Sequence, residues 1–160
     1  MKTKNKNDLL LIGLALILLG GLLIYAVSTR IKGQFAYIKV SNQVVLNINL
    51  NDGTYQMMKP VYLIEIDAKP SIDGQTLKYN NEVISFEFGQ TVVVYENYFY
   101  LLGGLGIVEI EYKDNKVRVS KEKSPYNICS KQGFSDIAPI VCLPNFVTIE
   151  FTNDTDVIIG

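Results

Sequence analysis

The sequence predicts an all-β domain, small and barrel- or sandwich-like, held behind one N-terminal transmembrane helix. Three observations carry that prediction: an uncharged apolar run from Leu9 to Val27, a two-residue periodicity from Phe35 onward, and Cys129 and Cys142, the only 2 cysteines among 160 residues. The expected organisation is a cytoplasmic tail over residues 1–8, a membrane anchor over 9–27, a linker over 28–34 and a β domain over 35–157 with an extended middle at about 54–102.

As a helix, the run LLLIGLALILLGGLLIYAV would cover about 28 Å at 1.5 Å per residue, close to the roughly 30 Å of a bilayer's hydrocarbon. A buried helix of a soluble protein would need an unusually large core around it. A cleaved signal peptide is the closer rival, because Lys2, Lys4 and Lys6 form a positive leader and Ala26-Val27-Ser28 resembles a cleavage site. The apolar run exceeds the usual signal core of roughly 7–15 residues, and Tyr25 stands where an interfacial aromatic anchors a spanning helix. A retained anchor is therefore expected. Arg30 and Lys32 follow the run, so the positive-inside bias places the N-terminus in the cytoplasm and the β domain outside it by a modest margin. Gly13, Gly20 and Gly21 read as ordinary glycines of a spanning helix.

Beyond Gly33 the periodicity is that of strands. Phe35 to Val40 and Val44 to Leu50 pair around a turn at Ser41-Asn42-Gln43, with Leu46, Ile48 and Leu50 on one face and Asn47 and Asn49 on the other. Tyr62 to Ala68 and Val83 to Phe88 follow as strands, separated by loop chemistry at Lys69-Pro-Ser-Ile-Asp-Gly74. Thr91 to Tyr95 is β-branched and aromatic, and Tyr98 to Leu102 reads as its continuation. The clearest hairpin is Ile107 to Val119, turning at Asp114-Asn115, with Val108, Ile110, Val117 and Val119 inward and the carboxylates of Glu109 and Glu111 toward water. Phe146 to Phe151 closes the chain as a last strand, giving roughly eight in all.

Charge and composition narrow the function. Past Gly33 there are 10 basic against 15 acidic residues, about −5, a poor counterion for a phosphate backbone, so no nucleic-acid partner is expected. The absence of histidine removes the usual base near neutral pH, the usual zinc ligand and every His-containing triad. Two thiols without histidine make a poor metal site, and their spacing is wrong for a Cys-x-x-Cys pair. If bridged, Cys129 and Cys142 would close about fourteen residues, stabilising by roughly 3 kcal/mol. Two reduced thiols and a labile redox pair stand as the alternatives.

Other motifs read blandly. Gly103-Gly104-Leu105-Gly106 follows no βαβ unit and is a strand-connecting turn, not a phosphate cradle. Asp52-Gly53-Thr54 superficially resembles a site of covalent flavin attachment, but its surroundings fit a turn. Lys113, Lys116, Arg118, Lys121, Lys123 and Lys131 make a basic run that reads as a solvated hairpin face, with contact to anionic lipid, wall polymer or an acidic partner as the sharper reading. Tyr95, Tyr98 and Tyr100 suit either a core or an interaction surface. Asn153-Asp154-Thr155 matches a glycosylation sequon, idle in a bacterium.

The segment Tyr126-Asn-Ile-Cys129-Ser-Lys131-Gln132-Gly133-Phe134, then Ile140-Val-Cys142-Leu143-Pro144-Asn145, resembles the signature of the NusG domain II family. The hairpin before it and Val147-Thr-Ile-Glu-Phe151 after it fit as well, and Phe35 to Leu50 fits more loosely. The resemblance covers about half of the chain, and the stretch from about Thr54 to Leu102 is longer than the family's usual middle. It implies a small β-barrel-like domain, often found in Gram-positive bacteria behind a single N-terminal helix. The family takes its title from an insert in some transcription elongation factors, whose other domains have no counterpart here, so transcription does not carry over. Some members are encoded beside membrane transport components and flavin-attaching enzymes. The expectation is a single-pass, membrane-anchored, non-enzymatic accessory that binds an envelope or membrane protein, without a cofactor. The alternative is an accessory to extracytoplasmic flavin-linked electron transfer or thiol–disulfide chemistry.

Overall fold

The computed structural model describes residues 3–28, 32–58 and 60–153. It divides into two compact units, residues 1–31 and 32–160. Lys2, Arg30, the sequon beyond Asn153 and the expected domain end at 157 lie outside the described residues. The first unit is one helix, α1 (Thr3–Ser28). Its span Asp8–Ala26 has a mean hydropathy of 2.7 and buries nothing against protein, so by length and composition it can cross a membrane. Its apolar residues face every direction, as lipid requires and a half-buried surface helix does not.

The second unit is all-β: thirteen strands in three sheets among the described residues. The first sheet comprises β1 (Phe35–Val40), β2 (Gln43–Asn49), β3 (Tyr55–Met57), β12 (Ile140–Cys142) and β13 (Val147–Thr152), in the order β12-β13-β1-β2-β3. The second comprises β4 (Tyr62–Glu65), β8 (Thr91–Tyr95), β9 (Tyr98–Leu102), β10 (Ile107–Lys113) and β11 (Lys116–Lys121), in the order β11-β10-β9-β8-β4. A third, smaller sheet is the meander β5 (Ser71–Asp73), β6 (Thr76–Tyr79) and β7 (Glu82–Ile84).

The first two sheets enclose the main core. Ile38, Leu46, Ile48, Val147 and Ile149 from one meet Val92, Val94, Phe99, Leu101, Val108, Ile110, Val117 and Val119 from the other. These are the alternate residues of each strand, the inward set that period two dictates. Across this core Tyr55 and Phe99 meet edge to face at 5.2 Å, and the Tyr112 hydroxyl donates to the Leu50 carbonyl at 3.0 Å. Positive φ at Asp114 and Asn115 fits the turn read from the sequence, and positive φ at Ser41 and Asn42 makes the first turn two residues instead of the expected three, Gln43 beginning β2.

The extended middle has a structural use that the sequence did not disclose. β4 pairs in parallel with β8, and a parallel pair needs a crossover connection. Here the crossover is the meander β5–β7 instead of a helix. Leu77, Val93, Tyr100 and Ile107 are buried together in a second cluster, with Ile64, Ile72, Ile84, Phe86, Tyr95, Tyr98 and Leu102 packed against it. Both faces of the central strands β8, β9 and β10 are therefore covered, which settles Tyr100 as a core residue and leaves Tyr95 and Tyr98 half-buried beside it.

Several expected boundaries shift. The count of roughly eight strands misses β3, β5, β6 and β12, whose three or four residues carry too little periodicity to register, and the strands expected over Tyr62–Ala68 and Val83–Phe88 are shorter, Tyr62–Glu65 and Glu82–Ile84. Lys69–Gly74 is not wholly loop, because it contains β5; its apolar Ile72 packs on the second cluster. Tyr98–Leu102 does not continue Thr91–Tyr95 but folds back on it antiparallel, with Glu96 at positive φ in the turn. Phe146 is not the first residue of the last strand; it adopts left-handed geometry at φ 55° and stands exposed.

Tyr100 supplies a test of this two-sided burial. Burial first, and then the charge of Glu109, raise its phenol pKa above the ordinary 10.0. The folded state holds the proton more tightly than the unfolded one, so the associated stability is complete below about pH 10 and is lost as pH rises above it. Chemical denaturation between pH 8 and 11 should show stability falling at the alkaline end, with a shallower fall in Tyr100→Phe. Equal slopes would contradict the burial.

Candidate functional site

The two faces of the β10–β11 hairpin differ in chemistry. Val108, Ile110, Val117 and Val119 face the main core, and the other face carries Glu109 and Glu111. Neither carboxylate faces water as expected: Glu109 is 3 % and Glu111 8 % exposed. The meander packs on Ile107 of this same face, and both buried carboxylates are paired, since burying an isolated carboxylate is costly. The ladder slips between Glu109 and Ile110, leaving Ser120 as an extra residue on β11. Its hydroxyl lies 2.6 Å from Glu109 Oε1 and 3.1 Å from the Glu109 carbonyl oxygen. Lys121 Nζ is 3.6 Å from Glu109 Oε2. Arg118 donates from Nε and Nη2 to Glu111 Oε2, each at 2.6 Å, and its guanidinium stacks 4.6 Å from the Phe134 ring centroid.

The basic run is thereby divided. Arg118 and Lys121 are occupied by Glu111 and Glu109, Lys113 and Lys116 flank the hairpin turn, and Lys123 lies beside the Asp73-Gly74 turn. Lys131 is exposed within a 3₁₀ turn, Ser130–Gln132. Lys113 and Lys116 face each other across the ladder, and Lys121 and Lys123 line one groove.

What the structure does assemble is the irregular segment from Glu122 to Phe146. Cys129 and Cys142 form a disulfide with Cα atoms 5.3 Å apart, their residues 1 % and 0 % exposed. Glu122 caps the 3₁₀ turn: its Oε1 accepts from the backbone N–H of Cys129 at 2.6 Å and of Ser130 at 3.1 Å. Its Oε2 lies 2.9 Å from Cys142 Sγ. Gly133 closes the turn at φ 75°, and Gln132 Nε2 donates to the Val141 carbonyl at 3.3 Å, covering part of the β12 edge.

Asn145 is the second fixed point, a wholly buried polar side chain. Its Oδ1 accepts from Leu105 N–H at 3.1 Å, and its Nδ2 donates to the Lys123 carbonyl at 3.2 Å. Its backbone carbonyl accepts from Gly104 N–H at 3.0 Å. The Gly103-Gly104-Leu105-Gly106 turn is thus a clamp around Asn145. A Cβ on Gly103 would meet Asn145 Cβ at 2.7 Å, and one on Gly104 would meet the Phe146 ring at 2.7 Å. Asp52-Gly53-Thr54 is likewise a turn, with Asp52 Oδ1 accepting from Thr54 N–H at 2.9 Å and Thr54 Oγ1 at 2.7 Å.

The disulfide ties together two segments bearing exposed apolar side chains: Tyr126 and Ile128 before Cys129, Leu143 and Phe146 after Cys142. Leu143 and Phe146, 76 % and 58 % exposed, line a shallow groove of about 340 Å³ with Ser41, Asn42 and Thr148. A larger groove of about 720 Å³ lies beside Glu122, lined by both apolar and polar residues, among them Ile72, Ile107, Asp73, Lys121, Lys123 and Ser124. Of the residues singled out in the sequence, Lys131, Gln132, Gly133, Leu143, Pro144 and Asn145 all fall in this segment. Glu122 went unnoticed. It lies seven residues before Cys129, and no periodicity or motif connects the two.

The family model described as NusG domain II matches residues 9–155, taking in the apolar helix and the whole of the extended middle. No curated protein and no solved structure matches the chain.

Asn145→Ala removes the acceptor for Leu105 N–H and should cost about 1–3 kcal/mol in urea unfolding. Leu143→Ala, two residues away and exposed, should stay within about 0.5 kcal/mol. Similar losses for the two would contradict the clamp.

Proposed function

The chain belongs to the NusG domain II family, and from that premise we propose that it is a membrane-anchored accessory that works by binding. In this reading α1 is retained as a single span, the tail is cytoplasmic, and the β domain stands on the outer side of a bacterial, Gram-positive cell membrane. Its partner is another envelope or membrane protein. The observation that carries the reading is the pair of disulfide-tied segments presenting Leu143 and Phe146, with Tyr126 and Ile128, to solvent. Large apolar side chains fixed in place by a cross-link and a buried Asn145 cost little entropy on docking.

The rest of the domain supports binding in preference to catalysis. Glu109 and Glu111, the carboxylates that might have served as an acid–base pair, are committed to Ser120, Lys121 and Arg118. The acidic balance of the domain also argues against a nucleic-acid partner. The redox alternative has weaker support, because exchange requires a thiolate to reach a disulfide sulfur, and both sulfurs are enclosed.

Copurification from solubilised membranes tests the proposal. The wild-type chain should retain an envelope or membrane protein, and Leu143→Ser/Phe146→Ser should reduce its recovery at least about fivefold, a loss of roughly 1 kcal/mol, with folding unchanged by circular dichroism. Identical recoveries, or no partner for either chain, would overturn it.

A further inference from the structure

We propose that the dithiol form of the Cys129–Cys142 pair, together with Glu122, is a binding site for one thiophilic divalent cation, with Zn²⁺ the ion its ligand chemistry matches. The Sγ atoms of both cysteines and a carboxylate oxygen of Glu122 lie within 4.8 Å of one another. Two thiolates and a carboxylate are a ligand set that Zn²⁺ accepts, at about 2.3 Å from sulfur and 2.0–2.2 Å from oxygen, with a fourth position left for water. Thiolates also discriminate against the hard cations Mg²⁺ and Ca²⁺.

The surroundings of the cluster are those of a ligand site. The backbone N–H groups of Cys129 and Ser130 hold Glu122 Oε1, which leaves Oε2 beside Cys142 Sγ at 2.9 Å. Asn145 Nδ2 stands 3.5 Å from the same sulfur, a donor placed to support a thiolate. Such outer partners orient ligands and raise metal affinity. Glu122 also forms part of the wall of the 720 Å³ groove, and Cys142 part of the wall of the 340 Å³ groove, so the cluster borders solvent-filled space on two sides. In the wall of the larger groove the Ser124 hydroxyl is buried without a hydrogen-bond partner.

The chain is synthesised as the dithiol. Zn²⁺ capture displaces the two thiol protons to solvent and transfers no electron. Formation of the disulfide instead delivers two electrons and two protons to an oxidant, and leaves sulfur atoms that no longer serve as thiolate ligands. The two fates exclude each other. The inference rests on neither the location nor the partner of the domain, so its failure would leave the binding reading untouched.

The test uses the full chain in detergent, kept as the dithiol by anaerobic preparation with a phosphine reductant, beside the same chain as the disulfide. Competition with a chromophoric chelator should find one Zn²⁺ per dithiol chain and none on the disulfide chain. Co²⁺ in place of Zn²⁺ should give a thiolate-to-metal charge-transfer band. Glu122→Gln should weaken Zn²⁺ binding at least about tenfold with circular dichroism unchanged. If that variant loses its fold, Glu122→Asp, which keeps the carboxylate but draws it back by one methylene, should weaken binding several-fold. No binding by the dithiol chain, equal binding by the disulfide chain, or wild-type affinity in the folded Glu122 variant would overturn the proposal.

Discussion

The central strands of the second sheet, β8, β9 and β10, are buried on both faces, and much else follows from that constraint. A sheet with one wet face alternates apolar and polar residues, whereas one covered twice must be apolar throughout or pair every polar group it carries. β8 takes the first course, with Val92, Val93 and Val94 in succession. β10 takes the second, and its two carboxylates draw Ser120, Lys121 and Arg118 into fixed positions. The slipped register at Glu109 is part of the same solution, because it turns the Ser120 hydroxyl toward a carboxylate that water no longer reaches.

The irregular segment obeys a different rule. From Glu122 to Phe146 only one three-residue strand and two short 3₁₀ turns occur, so few backbone groups find partners in a ladder. Side chains take over that work. Glu122 satisfies two N–H groups of the turn, Asn145 satisfies a third on the glycine loop, and the disulfide fixes the span between them. Three polar or covalent contacts from distant positions thus give a loop the definition of an element of regular structure. That definition is what lets Leu143 and Phe146 remain exposed in fixed positions without collapsing onto the core.

How far the sequence disclosed this depends on the range of each signal. The helix Leu9–Val27, the hairpins around Ser41-Asn42 and Asp114-Asn115, and the inward set Val108, Ile110, Val117 and Val119 are local patterns, and they were legible. The family was legible by resemblance, and its match proved wider than the half of the chain that carried it. Long-range relations were not legible. The solvent position expected for Glu109 and Glu111 assumed an open face, and only the unbroken apolar run Thr91–Tyr95 hinted at a second cover. Glu122 meets Cys142 across a separation of 20 residues, through a fold that no spacing rule encodes.

The first and last described strands are neighbours: Phe35 pairs with Thr152 and Val40 with Val147. β1 therefore lacks one of its two partners until nearly the whole domain has been made. A chain emerging N-terminus first, whether from a ribosome or a translocation pore, carries an open sheet edge through all the intervening steps. Local hairpins can form early, but the contact that seals the first sheet spans the full length of the domain and comes late. Emergence of β13 is what supplies the open edge of β1 with its second partner and lets the first sheet close.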